Sequence, residues 1–294
     1  MNSNGARIRQ LQRSVDRLAA ELRALHEHGP HAPADALLRQ ALRRRGLRWK
    51  KVLHDGCIVP GTPEGGEEFY QLLQHYSFRL FLRDVIKHGD RFGVPNLVRY
   101  CSPDTARRYL HCLQAHKLVR RIGSDFRLTV KLSSFGPTLE WFVAEVLRRE
   151  YGVPAAWNVR LDAAPGGGDY DVIGFQEGLC IYVETKSSPP RNIDAAQVRA
   201  FFERLHTLRP DVALFLNDTQ LHMGNKIAPL FVAELRRRRG RGAGQQRMER
   251  LGGEVFVAAD ALFIANSDPD LTGNIGLCLA HFFRTRPRQL DEVL

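Results

Sequence analysis

Two apolar strand-length runs, Asp171 to Phe175 and Leu179 to Val183, flank Gln176-Glu177-Gly178 and leave this stretch little choice but a β-hairpin. Side chains alternate across a strand, so Glu184 and Lys186, at the end of the second run, project from one face with Thr185 on the other. A strand apolar up to Val183 belongs in a buried sheet centre, where two opposite charges on one face are costly unless partnered. Their presence there asks for a chemical reason.

The full segment, GGGDYDVIGFQEGLCIYVETKSS, resembles the core of the PD-(D/E)XK superfamily of restriction-endonuclease-like and Holliday-junction-resolvase-like enzymes through the spacing Asp171-(x12)-Glu184-x-Lys186. The resemblance covers roughly residues 134–217, is generic to the superfamily and fixes no substrate. It implies a further acid on the helix before the hairpin. There PTLEWFVAEVLRREYG presents Leu139, Phe142, Val143, Val146 and Leu147 as an apolar stripe. At about 100° per residue Glu140 falls beside Leu147 at the edge of that stripe, while Glu145 points away and reads as a solvated charge. Asp169 and Asp171 share a strand face; Asp171 is preferred because it directly precedes Val172-Ile173, as in the family pattern. Gln197, one turn before Phe201 in IDAAQVRAFFERLH, matches a glutamine that related nucleases often bring to the site.

The resemblance therefore implies a catalytic set of Glu140, Asp171, Glu184, Lys186 and Gln197, with Mg²⁺ or Mn²⁺ held by Glu140, Asp171, Glu184 and the Thr185 carbonyl. Hard carboxylate oxygens suit these ions. The expected reaction is phosphodiester hydrolysis, the ion acidifying a water and Lys186 neutralising developing charge.

Upstream, a helical run FRLFLRDVIKHG, a short helix VPNLVRYC and SPDTARRYLHCLQAHKLV precede a two-strand segment LVRRIGSDFRLTV. Ser102 is the expected N-cap of the third helix, with Pro103 at its first position. The order resembles the winged helix-turn-helix family. That likeness implies a recognition helix exposing Thr105, Arg107, Arg108 and His111, with Arg120 and Arg121 near the wing, against a groove and phosphates. Winged helices also dock proteins; the 43 Lys and Arg against 32 Asp and Glu, formally +11, favour nucleic acid.

Apolar residues at Ile8, Leu11, Val15, Leu18, Leu22 and Leu25 step by three and four, as in a short coiled-coil seam that pairs two copies. A lone amphipathic helix is the alternative. No apolar run approaches the roughly 18 residues of a bilayer span, so a soluble, cytoplasmic protein with no membrane partner is expected. Cys57, Cys101, Cys112, Cys180 and Cys278 include no C-x-x-C pair and no zinc-finger spacing with histidine, and are read as reduced structural thiols. The histidines show no metal-ligand spacing of their own.

The expected fold class is α/β, a restriction-endonuclease-like mixed sheet flanked by helices, preceded by a winged-helix domain and a short coil. The divisions are residues 1–29 (coil), 30–77 (linker and helical segment), 78–133 (winged helix) and 134–294 (nuclease-like). The leading expectation is a metal-dependent deoxyribonuclease, with RNA left open as substrate. A non-catalytic DNA-binding regulator on an inactive nuclease fold is the alternative, and an assembly protein that binds no nucleic acid a weaker one.

Overall fold

Hydrophobic periodicity resolves into eight α-helices and one large mixed sheet in the computed structural model, which describes residues 32–50, 56–162, 169–239 and 247–285. The seam at residues 1–29 lies outside the described residues, as do residues 240–246 of the arginine- and glycine-rich stretch.

The chain begins with α1 (Ala32–Arg44) and β1 (Arg48–Lys50). Helix α2 (Pro63–Gln74) starts where the Thr62 hydroxyl accepts from Gly65 N at 3.2 Å. Helix α3 (Tyr76–His88) stops at Gly89, a 3₁₀ turn spans Val94–Asn96, and α4 (Pro103–Ala115) is capped by Ser102, as expected. The hairpin of β2 (Val119–Ile122) and β3 (Asp125–Leu128) follows. Helix α5 (Gly136–Tyr151) leads into β4 (Ala155–Asp162), β5 (Asp169–Gln176) and β6 (Leu179–Lys186). Then come α6 (Ala195–Leu208), β7 (Val212–Asn217), α7 (Ile227–Arg239), β8 (Glu249–Gly252), β9 (Val255–Ala258), β10 (Leu262–Ala265) and α8 (Leu271–Thr285).

The sheet order is β1-β4-β5-β6-β7-β10-β9-β8, antiparallel from β1 to β6, parallel across β6-β7-β10, and antiparallel again to β8. Alternation gives it two buried faces. Val172, Val183, Leu214 and Leu216 pack with α5, α8 and the α2–α4 region in one continuous core, while Ile173, Tyr182 and Phe215 pack with Phe201, Phe202 and Phe231 of α6 and α7. No described helix is long and apolar enough to cross a membrane.

Two elements that the hydrophobic pattern does not announce complete this sheet. Strand β1 pairs with β4 from Arg48↔Asp162 to Lys50↔Arg160 and extends the edge, although it comes from the stretch read as linker and helix. Strand β4 lies inside the sheet between β1 and β5, with its pattern broken at Asn158, whose φ is 50°.

One buried ion pair ties α3 to the sheet. Arg79 is 1% exposed, and its Nε donates at 2.9 Å to Asp218, which is fully buried just beyond β7. Arg83 reaches the second Asp218 oxygen at 2.5 Å, and Ser267 donates to the first at 2.6 Å. Burial alone raises the Asp218 carboxyl; the Arg79 and Arg83 guanidiniums outweigh it and hold the group below its ordinary value. Removing one member leaves an uncompensated buried charge, so Asp218→Asn is expected to cost about 3–5 kcal/mol in urea denaturation. A loss below about 1 kcal/mol contradicts the anchoring role.

Candidate active site

The site opens where two strands part. The β5–β6 ladder runs from Gln176↔Leu179 to Val172↔Val183 and ends there, whereas β6 stays paired with β7 as far as Lys186↔Asn217. On its other side β5 pairs Val172 with Trp157 and Tyr170 with Val159, but not Asp171 with Asn158, the residue in the left-handed region. Tyr170 and Val172 consequently bury on opposite faces of the sheet instead of sharing one.

That turn at Asp171 corrects the expectation that Asp169 and Asp171 share a strand face. Asp169 makes a two-pronged ion pair with Arg160, at 2.6 and 2.9 Å, at the exposed edge. Asp171 turns inward and accepts from Thr185 N at 2.7 Å and Thr185 Oγ1 at 3.2 Å, both through Oδ2. It thereby takes the strand N–H where the ladder has ended. No described residue bonds its Oδ1.

Glu184 and Lys186 share a face as alternation demands, with Nζ donating to Oε1 at 2.7 Å. Glu184 is 1% exposed and has two further partners that sequence reasoning missed. Arg204 of α6 donates to both oxygens, at 3.2 and 3.1 Å, and the Tyr182 hydroxyl donates to Oε2. Burial first, then the charges of Glu184 and Asp171, raises the Tyr182 hydroxyl well above its ordinary value, so it remains a neutral donor. Tyr182 was legible two residues before Glu184 on the same face, and Arg204 two turns after Gln197 on one helix face.

Glu140 reaches the cluster from α5. Among the described residues it has no hydrogen bond or ion pair. Burial pushes its carboxyl up to about 9, reinforced by Asp171, Glu184 and Asp169 and opposed by Lys186. Asp171 rises to about 7, again through burial first and then Glu184, against the pull of Lys186, the Thr185 N–H and Arg204. The oxygens of Glu140, Asp171 and Glu184 do not all lie within 4.8 Å of one another. As a donor set for a divalent cation, Glu140 and Asp171 Oδ1 offer unengaged hard oxygens, while both Glu184 oxygens are taken by cations and a hydroxyl.

The remaining expected residues make local contacts of their own. Gln197 spends its carbonyl on a capping box, accepting from Asp194 N at 3.0 Å while its own N–H donates to Asp194 Oδ1 at 2.9 Å. Thr185 is 7% exposed and bound to Asp171 as described. Glu145, read as a solvated charge, is instead 2% exposed and paired with Arg148 and Arg149. The sheet, α2 and α8 all contact α5, so its wheel has little solvent face. Asn217, across from Lys186, is fully buried, and among the described residues neither of its side-chain polar atoms has a partner.

On α4, Ala106, Tyr109, Leu110 and Leu113 are buried, while Arg107, Arg108 and His111 are exposed and Thr105 is half-buried. Arg107 pairs with Asp104 at 2.5 Å. Arg120 and Arg121 are exposed on β2.

No protein-family model matches the sequence, and no curated protein matches it. Among solved structures the chain is similar to Can2 from Sulfobacillus thermosulfidooxidans, determined with cyclic tetra-adenylate, at 14% identity and a TM-score of 0.38, over 60% of this chain and 50% of that one. It is also similar to protein VC1899 from Vibrio cholerae, at 12% identity and a TM-score of 0.44, over 84% of this chain and 60% of that one. The chain thus spans about half of Can2 and three-fifths of VC1899.

The raised carboxyls set a pH test. Between the ordinary glutamate value of 4.5 and about 9 the folded protein keeps a proton on Glu140 that the unfolded chain has released, so this group makes stability fall as pH rises. In chelator, Glu140→Gln should match wild type near pH 4 and exceed its melting temperature increasingly toward pH 9. Parallel curves across that range rule out the shift.

Proposed function

We propose that this chain is a metal-dependent nuclease of the PD-(D/E)XK type that hydrolyses phosphodiester bonds in DNA, on a restriction-endonuclease-like core. The observation that carries the reading is that Asp171 and Glu184 sit where the β5–β6 ladder ends, Lys186 is bound to Glu184, and Glu140 lies within electrostatic reach of all three. Three carboxylates crowded together, two with raised affinity for protons, also favour a divalent cation in the protons' place. Glu140, Asp171 and Glu184, with the Thr185 carbonyl, would hold Mg²⁺ or Mn²⁺, which would supply a polarised water and charge neutralisation at phosphate. Lys186 contributes a fixed positive charge toward the developing phosphorane, and Arg204 and Tyr182 orient Glu184. The Gln197 amide and the unpartnered Asn217 are assigned polar contacts at the edge of the site.

Residues 78–133 are read as a winged-helix domain that recruits DNA through Thr105, Arg107, Arg108, His111, Arg120 and Arg121, and residues 134–294 as the nuclease domain. Residues 1–29 are assigned to pairing two copies.

One observation favours a second reading, a DNA-binding scaffold without catalysis: both Glu184 oxygens already have partners. The deciding experiment incubates supercoiled, linear, branched and single-stranded DNA, and RNA, with Mg²⁺, Mn²⁺ or EDTA. Cleavage that needs metal and falls about 10²-fold or more in Lys186→Ala and Asp171→Ala is expected. Binding without cleavage under every condition supports the scaffold instead.

For recruitment, replacing Arg120 and Arg121 together by alanine should weaken binding to all duplexes alike and reduce the salt slope by about 2. An unchanged slope removes the wing from the interface.

A further inference from the structure

A second group of ligand-type side chains lies away from the carboxylates in sequence, toward the C-terminal end of α4, with Cys112 one turn after the exposed Arg108. We propose that Glu68, Cys112 and His116 form a metal site for an ion of the zinc class, which ties the end of α4 to α2. Cys112 and His116 stand four residues apart, so they share one face of the last turn of α4, and Glu68 comes from the middle of α2. Their ligand atoms all lie within 4.8 Å of one another, the one such group among the described residues. His116 Nε2 is 2.7 Å from Glu68 Oε2.

The surroundings are shaped around this imidazole. A Cβ on Gly65, one turn before Glu68, would lie 2.6 Å from His116 Nδ1, so α2 carries a glycine where the ring sits. Glycine inside a helix weakens it, and room for the ring accounts for its presence. Cys112 is 7% exposed and His116 is half-covered, while Glu68 faces solvent. Sulfur, imidazole nitrogen and carboxylate oxygen together select zinc-class ions over Mg²⁺. Metal–ligand distances of about 2.0–2.3 Å separate tetrahedral ligands by roughly 3.3–3.8 Å, so the exposed Glu68 carboxylate must draw back by about 0.6–1 Å and water completes the set. On binding, the S–metal bond replaces the Cys112 S–H bond and the proton passes to water. The site was invisible in sequence because Glu68 lies 44 residues before Cys112. It stands independently of the nuclease reading, since it shares no residue with the carboxylate cluster; by fixing α4 it would hold in place the helix that exposes Arg107, Arg108 and His111.

The test titrates the full-length protein, stripped with chelator, with Co²⁺ and then Zn²⁺. A near-ultraviolet sulfur-to-cobalt band that saturates at one ion per chain, is displaced by Zn²⁺, persists in Cys101→Ala and vanishes in Cys112→Ala is expected. No band in the wild type, or a band that survives Cys112→Ala, overturns the site and leaves a hydrogen-bonded triad only. Should Cys112→Ala fail to fold, His116→Gln and Glu68→Gln decide between the same outcomes: a tenfold or greater loss of cobalt affinity supports the site, and unchanged affinity in both overturns it.

Discussion

Everything at the proposed catalytic centre depends on one electrostatic constraint, the crowding of Glu140, Asp171 and Glu184 in a place with little water. Burial raises the proton affinity of Glu140 and Asp171, and the neighbouring negative charges add to the effect. Glu184 is surrounded by Lys186, Arg204 and Tyr182. The cluster thus contains two carboxyls that want a positive charge and one that already has it, an arrangement easier to explain by chemistry than by stability. Stability by itself would favour apolar side chains at such positions.

The fold creates the crowding through a local failure of regularity. Asn158 in the left-handed region and the early end of the β5–β6 ladder release Asp171 from its strand, and its carboxylate then holds the Thr185 N–H. Helix α5 brings Glu140 in from above because nearly every other side of that helix is packed. Beyond β7, one residue past the buried Asn217, Asp218 receives Arg79 and Arg83, so the α2–α4 region and the large sheet share one core and one buried charge network.

Much of this was legible from hydrophobic periodicity and capping. The hairpin, the common face of Glu184 and Lys186, and the helices around Val198 and Phe231 follow from apolar spacing, and Ser102 was a readable cap. Strand β4 was not, because Asn158 and Arg160 break its pattern, and β1 is only three residues long. The α2 helix hides behind Pro63-Glu64-Gly65-Gly66. Glu145 was misplaced because a helical wheel supposes a solvent side, and α5 has scarcely any. Arg79 and Asp218 are 139 residues apart, a pairing that no local pattern encodes.

The most direct measurement of the central claim is calorimetric titration of Mg²⁺ into the protein at pH 7.5, repeated in buffers of different ionisation enthalpy. If Glu140 and Asp171 hold protons that the cation displaces, binding releases protons, and the release disappears in the Glu140→Gln, Asp171→Asn double variant. Binding with no proton release, or a release that the double variant retains, would show that the cation does not meet these carboxylates and would contradict the account.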